Sequence, residues 1–100
     1  MSDKIKRTIR AGIPIPPVEI LHIREDAKSY VEAVISLYRS IAFDEEDQEE
    51  KAKLEAERDR QSDILREMPF MHIDEARRIV ADYPELIRRL REKDRWGARE

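Results

Sequence analysis

REDAKSYVEAVISLYRSIAF, residues 24–43, decides the fold. Ala27, Tyr30, Val31, Val34, Leu37, Tyr38 and Ile41 recur at steps of three and four, the spacing that gathers side chains on one face of an α-helix. Ala33, Ile35 and Ala42 widen that face past half the circumference. A helix this apolar needs neighbours on two sides. The stretch therefore predicts a central helix over about residues 24–43, with further helices laid against it.

Downstream the chain stays helical in character, since no Gly or Pro occurs from Glu19 to Met68. DEEDQEE, residues 44–50, holds six acids and no base. Such a run is expected to be solvated and to open a helix, where carboxylates suit the positive end of the dipole. Asp44 is the expected cap, with Asp47 at capping-box spacing. A second helix is expected over about 46–67. Its middle, EEKAKLEAERDRQSD, is polar nearly all round. Leu54, Gln61 and Met68 lie seven apart, too short a row for a coiled coil, which needs three or four heptads. Packing at the two ends of this helix is the expectation. Pro69 stops it, and Asp74 is the expected cap of a third helix. Ile73, Ala76, Ile79, Val80 and Tyr83 line one side until Pro84, which has no N–H to give. A restart at Pro84 is expected, with Leu86, Ile87 and Leu90 on the apolar side. Trp96 either anchors the helix end or stands as an interface aromatic.

Upstream, residues 1–23 differ in kind. AGIPIPP, residues 11–17, places three prolines in four positions. Each fixes its own φ and pushes the preceding residue away from the α region. Residues 1–23 are expected to form an extended arm close to polyproline II. Pro17 also suits the first position of a helix, which would then run on from Val18. Ile5, Ile9, Ile13, Ile15, Val18, Ile20, Leu21 and Ile23 make this stretch too apolar for a free linker, so it is expected to dock. A partner chain or twin subunit is the favoured surface; the chain's own helices are the alternative. The expected fold is all-α: a small bundle of three to four helices (about 24–43, 46–67, 73–82 and 84–95) in one domain, residues 24–100, behind the arm.

Composition narrows the chemistry. Charged residues make up 43% of the 100, the net charge is −3, and there are two glycines and no cysteine. Disulfides and cysteine zinc sites are excluded. Gly12 and Gly97 fit no phosphate-cradling or dinucleotide loop. No serine lies on a G-x-S-x-G elbow. Glu19 and His22 make one Glu-x-x-His step, which di-iron bundles use twice. His72 sits near Asp74 and Glu75, in a chain where carboxylates are common. Neither set is assigned a metal, and no cofactor or catalytic residue is expected. Nothing approaches the ~18 consecutive apolar residues of a membrane span, and the basic N-terminus lacks the apolar stretch of a signal peptide. A cytoplasmic location is expected.

The expected function is therefore non-catalytic: a small assembly or accessory subunit that binds other protein chains, copies of itself included. Ile13, Ile15, Val18, Ile20, Leu21, Val34, Tyr38 and Trp96 are the candidate interface residues. The alternative is a nucleic-acid-associated regulator or antitoxin-like protein, because Arg88, Arg91 and Arg95 share a helix face. A pI of about 5.5 speaks against it.

Overall fold

The computed structural model describes residues 17–97, with side chains as far as Arg95. Three helices account for nearly all of them: α1 (Pro17–Asp44), α2 (Gln48–Glu67) and α3 (Ile73–Gly97). One 3-10 turn, Met68–Phe70, joins α2 to α3. The protein is all-α, as expected, but four boundaries differ. Helix α1 starts at Pro17, so residues 17–23 are helical and not part of an extended arm. Proline suits that first position because the N–H it lacks has no partner there. Residues 1–16, with the rest of the expected arm, lie outside the described residues.

The second difference is the cap of α2. Asp47, not Asp44, holds that position, and its Oδ1 accepts from the backbone N–H groups of Glu49 at 2.9 Å and Glu50 at 3.1 Å. Asp44, Glu46, Asp47, Gln48 and Glu49 are exposed, so the acidic run is solvated. The third is Pro84, which lies inside one continuous helix. Ala76, Ile79, Ile87 and Leu90 are buried on one stripe that passes straight through this position. Pro84 itself faces solvent. Only its own missing hydrogen bond is lost, and packing on both sides carries the helix across. His72, not Asp74, caps α3: its Nδ1 accepts from the Asp74 N–H at 3.0 Å.

Everything packs on α1. One cluster joins Ala27, Val31 and Ile35 to Met68, Ala76 and Ile79. The other joins Val34, Ile41 and Ala42 to Leu54, Ile87 and Leu90. Ala27, Val31 and Val34 have no exposed surface at all. Short side chains there let two helices approach α1 closely. Arg24 Nη1 donates to the Met71 carbonyl at 2.8 Å, and Ser40 Oγ donates to Asp94 Oδ1 at 2.9 Å. These two bonds place the start of α3 beside the first half of α1 and its end beside the last, so α1 and α3 run parallel with α2 antiparallel between them in sequence.

Helix α2 is held along its whole length rather than at its ends. Leu54, Gln61 and Met68, the row seven apart, are all buried. Gln61 is the one buried polar residue among those described. Its Oε1 accepts from the Tyr83 hydroxyl at 2.7 Å. Tyr83 also packs against both apolar clusters, so this bond fixes α2 to α3 where the clusters meet. The described ion pairs play no such part. The Glu50–Lys53, Glu57–Arg60, Asp63–Arg66, Glu85–Arg88 and Arg88–Glu92 pairs each lie within one helix. Exposed pairs of that kind contribute about 0.2–0.5 kcal/mol each.

Three expectations follow. Tyr83→Phe leaves the Gln61 amide buried without its partner and should cost about 1–3 kcal/mol in urea denaturation. Pairing it with Gln61→Leu should recover part of that loss. Pro84→Ala restores a backbone hydrogen bond and should stabilise the protein by about 1–3 kcal/mol; a loss instead would mean that the packing of α3 depends on the proline.

Burial pushes the Tyr38 hydroxyl above its ordinary 10.0, and the Glu57 carboxylate adds to this. Burial also raises Tyr83, partly offset by Gln61. The unfolded tyrosines ionise first as pH rises. The stabilisation is therefore complete below about pH 10 and is lost as pH climbs through the folded values. Melting curves across that range should fall less steeply for Tyr38→Phe and Tyr83→Phe than for the unaltered protein.

Candidate docking surface

The eight expected interface residues fall into separate places. Ile13 and Ile15 lie outside the described residues, as does the side chain of Trp96. Val34 is fully buried, and Tyr38 is half-buried against the second cluster. The broad apolar face of α1, read as a surface for a partner, is covered by α2 and α3 of the same chain. Val18 and Leu21 remain 59% and 52% exposed, and Ile20 is half-buried.

Those three sit where α1 outruns the bundle. Ile23 is the first α1 side chain that packs on the core, and Arg24 is the residue that reaches the α2–α3 connection. Residues 17–22 therefore project past it, by about 9 Å at the helical rise of 1.5 Å per residue. An isolated helix of six residues has little stability of its own; this one continues a packed helix.

Pro17, Leu21, Arg24 and Lys28 follow one another at steps of four, three and four, so they form one row along α1. Arg24, Glu25 and Lys28 make one wall of a groove of about 290 Å³, and Leu65, Met68 and Pro69 make the other. Leu21 lies one turn before Arg24 on α1. Phe70, which is 84% exposed, follows Pro69 in the chain. The local chemistry explains that exposure. Pro69 cannot extend the α-helical ladder, and the chain tightens into a 3-10 turn closed by Met71 N–H on the Met68 carbonyl at 3.1 Å. Met68 turns inward and Phe70 outward. A proline between Met68 and Phe70 is the sign in the sequence that one of them is turned to solvent. Phe43 is also exposed, but alone and at the other end of α1.

Other groups do not assemble in this way. Glu19 and His22 are both exposed on α1, and His72 spends Nδ1 on capping α3. Among the described residues no three of His, Asp and Glu converge as metal ligands. No described helix is long and apolar enough to cross a membrane. Arg88, Arg91 and Arg95 do share a face of α3, around a shallow hollow beside Pro84. Arg88 donates to Glu85 at 3.1 and 2.6 Å and lies 3.5 Å from Glu92. The hydrogen bond from Arg88 lowers the Glu85 carboxyl from its ordinary value. This face spends part of its charge on itself.

Comparison of the chain with protein-family models, with curated proteins and with solved structures finds no match.

Proposed function

We propose that the protein is a non-catalytic assembly or accessory subunit that binds other protein chains through the projecting end of α1 and the Met68–Phe70 turn. One observation carries this. Val18, Leu21 and Phe70 are large apolar side chains, each more than half exposed; Val18 and Leu21 precede Arg24 and Glu25 on α1, and Phe70 follows Pro69, residues that line one groove. Scattered apolar residues are ordinary on a surface, but a contiguous patch with a charged rim is what protein interfaces look like. Leu65 and Met68 supply an adaptable floor, and Arg24, Glu25 and Lys28 supply charges of both signs at the edge. The groove is small and open beside the roughly 300–1,000 Å³ of enclosed ligand pockets, which favours a segment of chain over a small molecule.

A photoreactive amino acid at Leu21 or Phe70, introduced in the cell that makes the protein, should give protein adducts of discrete mass. The same group at Ala52, on the polar face of α2, should give none. The adducts should withstand nuclease and form equally at high salt, because phosphate binding weakens steeply with salt whereas apolar contact does not. Failure to form adducts at both positions, or adducts that contain nucleic acid, would overturn the proposal.

A further inference from the structure

We infer that Phe43 and the acidic run behind it, residues 44–49, seat on the Arg88, Arg91 and Arg95 face of α3 in a second copy of the chain, so that two copies close about a two-fold axis. This contact lies at the other end of α1 from the groove beside Pro69, and neither depends on the other.

Unmatched charge is the first support. Residues 44–49 hold five acids and no base. Glu45 accepts from the Asp47 N–H, and Asp47 caps α2. Asp44, Glu46 and Glu49 are exposed, and none has an ion-pair partner among the described residues. On α3, Glu85 and Glu92 take up Arg88. Arg91 and Arg95 are exposed and have no ion-pair partner among the described residues. Together with Arg88, Pro84 and Ile87 they line a hollow of about 370 Å³. The two surfaces are opposite in charge, yet no described ion pair joins them within the chain. A second copy brings to each the charge it lacks.

The second support is Phe43. It is 82% exposed and stands immediately before the acids. A phenyl ring stacks on guanidinium planes, and carboxylates take arginine in paired hydrogen bonds. An aromatic ring leading a row of carboxylates therefore suits three arginines set around a proline.

Placement is the third. Ser40 Oγ donates to Asp94 Oδ1 at 2.9 Å, which ties the end of α1 to the end of α3. The acidic run and the arginines thus share one end of the bundle. Two copies that meet by this end each give one run and take one, and the pair is closed. Had the halves lain at opposite ends, the contact would build an open chain. The same placement favours a second copy over nucleic acid. Phosphates approaching the arginines are repelled by the carboxylates beside them, whereas a second copy meets those carboxylates with arginines of its own.

Light scattering should give twice the single-chain mass at about 0.05 M salt and the single-chain mass at about 1 M, where the screening length falls to ~3 Å. Asp44→Arg/Glu46→Arg and Arg91→Glu/Arg95→Glu should each give the single-chain mass at low salt, with the helical circular dichroism unchanged. All four substitutions in one chain leave the net charge at −3 and swap the two surfaces, so the doubled mass should return. A single-chain mass for the unaltered protein at low salt would overturn the inference. So would a doubled mass that persists in either double variant, or a fourfold variant that stays single. Retention of a DNA duplex by the unaltered protein, lost in Arg91→Glu/Arg95→Glu, would give the face to phosphate and sink the dimer contact.

Discussion

Two-sided burial of α1 is the constraint on which the rest depends. Ala27, Val31 and Val34 are completely covered, and their neighbours Ile35, Ile41 and Ala42 nearly so. No single helix covers that much of another. Helix α2 brings Leu54 to α1 and the turn after it brings Met68; α3 brings Ala76, Ile79, Ile87 and Leu90. The partners are thereby freed from being apolar themselves. Helix α2 buries only a narrow row and is otherwise polar, which is how a chain with 43% charge still closes a core.

That distribution explains what was legible in the sequence. The period of residues 27–41 gave α1 its identity because burial there leaves a regular trace. Pro84 misled because proline's cost is local, whereas the stripe from Ala76 to Leu90 that overrides it is spread over four turns. The α2 cap was misplaced from Asp47 to Asp44 because both are aspartates in one acidic run, and only the backbone hydrogen bonds tell them apart. Gln61 was legible as a position seven from Leu54 and Met68. Its burial was not, because the Tyr83 hydroxyl that makes burial tolerable is 22 residues away.

The proposed docking surface was legible only in part. Val18 and Leu21 were picked out because they are apolar beside prolines, and they are exposed. Val34 and Tyr38 lie on the broad apolar face of α1, which two helices of the same chain cover. Phe70 gave little sign, since in a five-residue connection direction is set by a single 3-10 turn. Whether an apolar residue serves the core or a partner depends on what lies opposite it, and composition does not record that.

The parallel arrangement of α1 and α3 has a consequence for synthesis. Both apolar clusters include residues of α3, with Ile79 completing the first and Ile87 and Leu90 the second. When only α1 and α2 have left the ribosome, Val31 and Val34 still face water on the side that α3 will cover. Neither cluster closes until Leu90 has emerged. Folding of this bundle is thus tied to the emergence of α3, and for as long as residues 73–90 are being made the most apolar helix of the bundle stands half-dressed, the state in which nascent chains recruit chaperones or aggregate.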